Sequence, residues 1–188
     1  MINFFKNKIV IVTGGSGYIG SSLISSLKGK PKKIIRVSRK ILKPENAIED
    51  WQLDLSKDTS WQKIVLTADI IFHLSGNTSI YKSEENEKES LISTVIPIKL
   101  LIESAQKLSR KPRVIFASTA TVYGLTHVSP VSETLKPKPI TKYDLHDFIT
   151  LRIASCKTPS DFATPLTVTC LFYVHFIKLP KCPYKSQL

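Results

Sequence analysis

A glycine-rich segment near the start of the chain has the residue types and spacing of a phosphate-binding turn. Gly15, Gly17 and Gly20 follow the pattern G-x-G-x-x-G, and an overlapping G-x-x-G-x-x-G begins at Gly14. Glycines allow a sharp turn and let backbone N–H groups approach a phosphate with no side chain between them. The apolar run Ile9–Thr13 precedes the turn and a helical pattern follows it, so the positive end of a helix would face the phosphate. This context predicts a dinucleotide-binding site, the alternative being an ordinary glycine-rich strand–helix turn.

Other candidate site residues follow later apolar segments of the chain. Asp54 comes after a short one and could accept a hydrogen bond from an adenine amino group, or equally serve as a turn or helix-capping residue. Residues that permit close backbone approach to a cofactor follow the next apolar segment. Hydroxyl groups follow a third apolar segment, where they could face a ligand crevice or cap the next helix. These two groups are His73, Leu74, Ser75 and Gly76, and Ser118, Thr119, Ala120 and Thr121. Tyr143 begins a later helical segment, where its phenol could act as an acid or a base.

The elements that must position these residues alternate between strand and helix. Strands are predicted at residues 9–13, 33–38, 50–55, 68–74, 113–118 and 166–171, and helices at 18–28, 84–109 and 141–155. Pro97 should kink the longest helix, and residues 129–139 form a proline-rich loop. This alternation favours a parallel sheet with right-handed crossovers, in which residues at the carboxyl ends of the strands line the ligand crevice.

Composition limits the class of protein. The chain has 188 residues, 42% of them hydrophobic and 22% charged, which suits one globular domain with a full core. No signal peptide is expected because Lys6 and Lys8 interrupt any early apolar run, and the longest apolar stretch, residues 165–177, is too short to cross a membrane. The three cysteines show neither metal-ligand spacing nor a disulfide framework. We therefore expect a cytoplasmic protein with no metal and no membrane partner.

The net charge of +12 raises nucleic acid as a partner. Eight basic residues fall between positions 28 and 43 with no acidic residue among them. No aromatic residue is interleaved with them, so a base-stacking platform is not indicated. We expect a solvated surface with a contact to a cofactor phosphate, and nucleic acid as an unlikely partner.

Taken in order, these motifs resemble the extended short-chain dehydrogenase/reductases, specifically the NAD-dependent epimerase/dehydratase family of nucleotide-sugar enzymes. The resemblance covers residues 7–171, and its most diagnostic piece is Val122-Tyr123-Gly124 after the run of serine and threonine. It also includes residues 100–105 and the segment from Tyr143 to His146. The resemblance implies an α/β fold, namely a three-layer Rossmann fold whose doubly wound parallel sheet has the strand order 3-2-1-4-5-6.

The resemblance also implies a function and the residues that perform it. Such enzymes move a hydride between a sugar carbon and a bound nicotinamide, with Tyr143 as the general base and Thr119 hydrogen-bonded to the sugar hydroxyl. Thr121 would contact the nucleotide-sugar substrate. The implied cofactor-binding residues are Gly14, Gly17, Tyr18, Ile19, Gly20, Arg39, Asp54, Leu55, Leu74, Ser75 and Gly76. Dimers in the family associate through the fourth and fifth helices, which implies a homodimer.

The chain departs from the family at the Tyr-x-x-x-Lys motif, because Asp147 stands where the lysine is expected. One helical turn places Asp147 on the same face as Tyr143, where a carboxylate raises the phenol pKa that a lysine would lower. Lys142 should point elsewhere, and His146 lies on a neighbouring face and is a poor substitute. An alternative function is therefore a truncated, catalytically impaired relative that binds a dinucleotide without turnover.

A second departure concerns the choice of cofactor. The family carries an acidic residue at the end of the second strand to bind the adenosine ribose, whereas this chain has Ser38 and Arg39 there. Because Arg39 could pair with a 2′-phosphate, NADP is favoured over NAD.

The third departure is at the end of the chain, where the resemblance stops at Leu171. We expect residues 1–171 to form the dinucleotide-binding Rossmann domain and residues 172–188 to be a divergent tail from an out-of-frame or early-terminated sequence. The family's C-terminal substrate domain would then be absent. The sequence leaves open which nucleotide sugar is used, and whether it is epimerised, dehydrated or reduced.

Overall fold

Strands and helices alternate along the described residues of the computed structural model, which are 2–40, 42–127, 130–132, 135–156, 168–171 and 176–177. The strands are β1 (Ile9–Thr13), β2 (Lys33–Ser38), β3 (Ile48–Gln52), β4 (Ile70–His73), β5 (Arg113–Ala117), β6 (Val168–Leu171) and β7 (Phe176–Ile177). The helices are α1 (Ile2–Phe5), α2 (Tyr18–Leu27), α3 (Asp58–Thr67), α4 (Ile80–Glu85), α5 (Glu87–Gln106) and α6 (Lys142–Cys156). A 3₁₀ turn covers Ala120–Tyr123.

The strands form one sheet in the order β3-β2-β1-β4-β5-β6-β7. All neighbouring pairs from β3 to β6 are parallel, and β7 pairs antiparallel with β6. The expected Rossmann fold and its strand order are therefore confirmed, and β7 is an addition that the sequence pattern did not indicate. Thr13 lies opposite both Val37 and His73, so β1, β2 and β4 end at the same level and their following loops meet.

The core has two parts, one on each face of the sheet. β1 contributes to both, because Ile11 faces one side and its neighbours Val10 and Val12 face the other. Its run of β-branched residues suits a strand that is buried on both faces. The first part contains residues of α3, α5 and α6, and the second contains residues of α2. Helices on both faces of a parallel sheet give the three layers.

The turn from β1 into α2 leaves no room for side chains at two glycines. Gly14 has φ of +68°, and a Cβ there would lie 2.7 Å from the backbone carbonyl of Leu74, after β4. A Cβ on Gly20 would overlap the carbonyl of Gly14, because the first turn of α2 sits directly on the glycine turn. The glycines thus let α2, β1 and the β4 loop meet at one point.

Several boundaries differ from the sequence-based expectation. The third strand ends at Gln52, so Asp54 lies in the loop that follows it. The long helix predicted at 84–109 is two helices, because Asn86 leaves the helical conformation and its side chain caps α5 by accepting from the backbone N–H of Glu89 at 3.1 Å. Pro97 lies inside α5. Helix α3 was not predicted. The tail proposed at 172–188 falls outside the described residues except for β7.

In the part of the chain that the structure describes, every helix is too short or too polar to span a lipid bilayer.

Candidate functional site

A cavity of about 590 Å³ opens at the carboxyl ends of the central strands. Its walls come from the glycine turn, from the loops after β2, β3 and β4, and from the amino-terminal half of α5. Eight of the residues predicted to bind a cofactor line it: Gly14, Gly17, Arg39, Asp54, Leu55, Leu74, Ser75 and Gly76. The side chains of Tyr18 and Ile19 are exposed on the first turn of α2, and Gly20 is buried against the glycine turn.

The glycine turn offers the cavity an uncapped helix end. Gly17 is the N-cap of α2 and has no side chain to accept from the first backbone N–H groups of the helix. These groups have no partner inside the helix, and the positive end of the helix dipole lies with them. Gly14 and Gly17 both line the cavity, so an anion can approach this backbone closely. The arrangement fits the pyrophosphate of a dinucleotide.

A buried hydrogen bond ties β1 to β4 beneath this turn. Thr13 Oγ1 lies 2.7 Å from His73 Nδ1, and Ser75 Oγ donates to Thr13 Oγ1 at 3.2 Å. His73 is 2% exposed, and burial lowers its pKa to about 4, so the imidazole is neutral at pH 7. The bond holds the β4 loop, which carries Ser75 and Gly76, against the glycine turn. The sequence signal for it was a lone histidine at the end of a buried strand, which does not identify its partner.

Asp54 forms the turn that its sequence context allowed, and it also lines the cavity. Its Oδ1 accepts from the backbone N–H of Ser56 at 3.0 Å and from Ser56 Oγ at 2.8 Å, as in an Asx turn. These two hydrogen bonds are the main reason that the pKa of Asp54 is lowered, and the charges of Lys57 and Arg39 lower it further. Asp54 therefore stays ionised while it lines the cavity. Arg39 lines the same cavity and is exposed.

Part of the basic stretch is neutralised by acidic residues that follow it. Arg36 is buried and pairs with Asp50 through two hydrogen bonds, at 2.6 Å from Nε and 2.9 Å from Nη2. The Lys28 ammonium pairs with Glu45, and the Lys33 ammonium pairs with a glutamate of β3. This pairing reduces the local positive charge and weakens the case for nucleic acid as a partner.

The candidate catalytic residues meet where α6 begins. Tyr143 is in the first turn of α6, and the Thr119 hydroxyl lies near enough to its phenol to influence the phenol pKa. Burial raises the pKa of Tyr143, the charges of Asp147 and Asp144 raise it further, and the Thr119 hydroxyl lowers it. The phenol therefore holds its proton at neutral pH. Tyr143 and Thr119 lie outside the cavity lining, as does Thr121.

A capping box fixes the start of α6. Thr141 Oγ1 accepts from the backbone N–H of Asp144, and Asp144 Oδ2 accepts from the backbone N–H of Thr141, both at 3.1 Å. Thr121 Oγ1 also donates to the carboxylate of Asp144. Burial tends to raise the pKa of Asp144, but the hydrogen bonds from Thr121 and Thr141 lower this pKa overall. The T-x-x-D spacing is the sequence signal that could have located this helix start.

Asp147 occupies a different environment from Asp144, only three residues away. It is 5% exposed, and burial together with the charge of Asp144 raises its pKa to about 7, against a smaller lowering by the Ser118 hydroxyl. Ser118 Oγ is itself buried and makes no hydrogen bond of normal geometry. Near neutral pH the carboxyl is therefore protonated in about half of the molecules. Asp147 raises the pKa of Tyr143, as the sequence predicts, but burial of the phenol raises this pKa more.

The neighbours of Tyr143 on α6 do not replace the missing lysine. Lys142 points away, with its ammonium 3.0 Å from a carboxylate oxygen of Glu87. His146 is buried, with Nδ1 2.9 Å from Ser90 Oγ on α5. Among the residues that the structure describes, no group of three or more His, Cys, Asp or Glu side chains could hold a metal ion.

The chain is similar to known proteins over most of its length. Residues 10–155 match the model of the family described as "NAD dependent epimerase/dehydratase family". A UDP-glucose 4-epimerase of Mycoplasma genitalium is 30% identical over 145 residues, covering 69% of this chain and 41% of the relative. A GDP-6-deoxy-D-talose 4-dehydrogenase of Aggregatibacter actinomycetemcomitans is 30% identical over 139 residues, covering 72% of this chain and 44% of the relative. The chain thus spans less than half the length of these relatives.

Solved structures with the same fold include sugar-nucleotide enzymes. MoeE5 in complex with UDP-glucuronic acid and NAD superposes with a TM-score of 0.73 at 23% identity, covering 87% of this chain and 52% of that one. A UDP-glucose 4-epimerase of Thermotoga maritima with UDP-glucose has a TM-score of 0.73 at 21% identity, covering 87% of this chain and 54% of that one. At these identities the likeness shows the fold alone.

The substitution Asp147→Asn should change how stability depends on pH. The folded-state pKa of about 7 lies above the ordinary 3.8, so the native state binds this proton more tightly than the unfolded chain. The stabilising contribution is complete below about pH 4 and is lost as the pH rises through about 7. Between these limits the free energy of unfolding should fall by up to about 4 kcal/mol more in the unsubstituted chain than in Asp147→Asn. Urea denaturation at both pH values measures the difference.

The matched control is Asp144→Asn. Because the pKa of Asp144 is lowered, its contribution to stability is gained as the pH rises, which is opposite to that of Asp147. Parallel pH profiles for the unsubstituted chain and Asp147→Asn would show that Asp147 is not held as a buried acid.

Proposed function

Since the chain belongs to the NAD-dependent epimerase/dehydratase family, we propose that it binds a nicotinamide dinucleotide in the cavity at the carboxyl end of its sheet. We propose further that it serves as the cofactor-binding part of an enzyme acting on a nucleotide sugar. Residues 1–171 would be the dinucleotide-binding domain of such an enzyme. A homodimer through the fourth and fifth helices and a cytoplasmic location belong to the same proposal.

The observation that carries the proposal is the uncapped first turn of α2 at the cavity wall. Gly17 contributes no side-chain cap, and Gly14 is pressed against the β4 loop so that bare backbone faces the cavity. A pyrophosphate would accept hydrogen bonds from these N–H groups and would gain from the helix dipole. Asp54 lines the same cavity as an ionised carboxylate, which could accept a hydrogen bond from an adenine amino group.

For the reaction we propose Tyr143 as the acid–base group and Thr119 as its partner. The Thr119 hydroxyl is near enough to the phenol to lower its pKa, so both groups could contact one sugar hydroxyl. In its phenolate form, Tyr143 would receive the proton of that hydroxyl, and Thr119 would orient the hydroxyl. A bound nicotinamide would supply the hydride acceptor. Thr121 would reach the substrate from the turn after β5, where Asp144 holds its hydroxyl.

A second candidate function is dinucleotide binding with little turnover. It is favoured by the absence of a cation beside Tyr143 on α6, where Lys142 is paired with Glu87 and position 147 carries a carboxyl group. The raised pKa of Tyr143 disfavours the phenolate that would act as the base. Above about pH 7, where Asp147 is ionised, this penalty is larger than below it.

Arg39 supports a preference for NADP. It lines the cavity at the end of β2, beside Ser38, where no carboxylate stands to bind the ribose hydroxyls. A guanidinium can pair with a 2′-phosphate through two hydrogen bonds. The carboxylate of Asp54 lies close enough for the Arg39 charge to lower its pKa, so it would partly offset this attraction. We therefore propose that NADP is preferred by a modest factor.

Binding is tested by fluorescence titration of the full chain with NADPH and NADH in parallel. We expect saturable binding of both. Arg39→Ala should weaken NADPH binding by roughly tenfold to a hundredfold, because a charge-assisted hydrogen bond is worth roughly 1.5–3 kcal/mol, and should leave NADH binding nearly unchanged. Lys40→Ala is the matched control, since Lys40 is also exposed and basic but does not line the cavity.

Equal weakening of both cofactors by Arg39→Ala would contradict the NADP preference. Failure of a folded, monodisperse chain to bind either cofactor would contradict the proposed function itself.

The second candidate is tested through the acidity of Tyr143. Asp147→Lys should lower the Tyr143 pKa, because it replaces a carboxyl with a cation on the same helix face. Asp147→Asn, which removes the charge without reversing it, should lower it less. Carbon-13 NMR of labelled tyrosine across pH follows the phenol directly. An unchanged Tyr143 pKa in Asp147→Lys would show that Asp147 does not govern the acidity of this phenol.

A further inference from the structure

A chain of buried polar side chains links helix α6 to the loop at the cavity wall. His146 Nδ1 lies 2.9 Å from Ser90 Oγ on α5, and Ser90 Oγ donates to Ser83 Oγ on α4 at 3.0 Å. Asn77 Nδ2, from the loop after β4, donates to the same Ser83 Oγ at 3.0 Å. The side chains of Ser83, Ser90 and His146 are almost completely buried. Such groups are costly to bury unless each has a partner, so the chain holds its members in place.

One end of this series of hydrogen bonds, at Asn77, lies in the loop that borders the candidate cofactor cavity. Asn77 Oδ1 accepts from the backbone N–H of Ser79 at 3.0 Å, and the backbone N–H of Asn77 donates to Thr94 Oγ1 at 3.4 Å. Residues on both sides of Asn77, namely Gly76 and Thr78, line the cavity. The other end of the chain lies on α6, one helical turn after Tyr143. The two proposed halves of the site are thus connected through the core rather than across the cavity.

The number of available protons fixes which atom donates and which accepts in each of these hydrogen bonds. Ser83 Oγ donates to the backbone carbonyl of Ser79 at 3.0 Å, so it can only accept from Asn77 and from Ser90. The single hydroxyl proton of Ser90 is then used, and its oxygen must accept from His146. His146 therefore carries its proton on Nδ1. Charged groups around the imidazole come from three helices, with Glu84 on α4, Glu87 on α5 and Lys142 on α6. Burial nevertheless lowers the pKa of His146 and keeps the ring neutral at pH 7.

We propose that His146 is a positioning residue, which through Ser90 and Ser83 holds the loop around Asn77 in the conformation that shapes the cofactor cavity. His146 does not itself line the cavity. The part of this inference that concerns cofactor affinity rests on the proposed function, whereas the part that concerns the loop does not.

The experiment compares three variants of the full chain. His146→Leu removes the ring donor, whereas His146→Asn keeps a donor near the place of Nδ1. Thr150→Val is the matched control, because Thr150 is buried on the same helix and its hydroxyl donates to the His146 carbonyl at 2.8 Å, away from the loop. Two quantities are measured: amide hydrogen exchange of Asn77 and Ser79 without ligand, and the dissociation constant of NADH by titration.

His146→Leu should speed exchange at Asn77 and Ser79 about tenfold and weaken NADH binding by a similar factor, the usual effect of losing one buried hydrogen bond. His146→Asn should restore both to within about threefold, and Thr150→Val should change neither. If His146→Leu does not fold, Ser90→Ala breaks the same chain from α5 and should give the same pattern.

Unchanged loop exchange in a folded His146→Leu protein would overturn the inference, as would equal effects of Thr150→Val and His146→Leu. If the unsubstituted chain does not bind NADH, the proposed function fails, and the exchange result alone then decides the role of His146.

Discussion

The structure depends on a steric constraint at the turn between β1 and α2, where backbone packs on backbone without side chains. A Cβ on Gly14 would meet the carbonyl of Leu74, and one on Gly20 would meet the carbonyl of Gly14. This close contact fixes where α2 begins, and it sets the β4 loop against the turn. The Thr13–His73 bond supports the contact from below. The same constraint leaves uncapped N–H groups facing the cavity, so the feature that organises the fold is also the one that can bind an anion.

The two aspartates near Tyr143 show that the surroundings of a carboxyl group, rather than its residue type, decide its charge. Asp144 and Asp147 are one helical turn apart, yet hydrogen bonds lower the pKa of the first and burial raises that of the second. A carboxyl that is half protonated near neutral pH repels a phenolate less than an ordinary aspartate would. The chemistry open to Tyr143 therefore depends on pH through Asp147, in addition to its own burial.

Much of the fold could be predicted from short-range patterns, whereas the side-chain network could not. The glycine turn and the buried strands are visible because their signals are contiguous, and a parallel sheet follows from their alternation with helices. The break at Asn86 was missed because the helical pattern continues on both sides of it. The Thr13–His73 and Ser90–His146 bonds join residues 60 and 56 positions apart, and no local pattern identifies such partners. The charge state of Asp147 likewise follows from tertiary burial.

We propose that backbone amides of the glycine turn hold a dinucleotide. Titration of the nitrogen-15 labelled chain with NADH, followed by amide resonances in two-dimensional NMR, observes these amides individually. We expect saturable shifts that are largest at Gly14, Gly17 and the first turn of α2, with smaller shifts at Ser75 and Gly76. Shifts confined to the opposite end of the sheet, around Lys32 and Lys33, or no saturable shift in a folded sample, would contradict it.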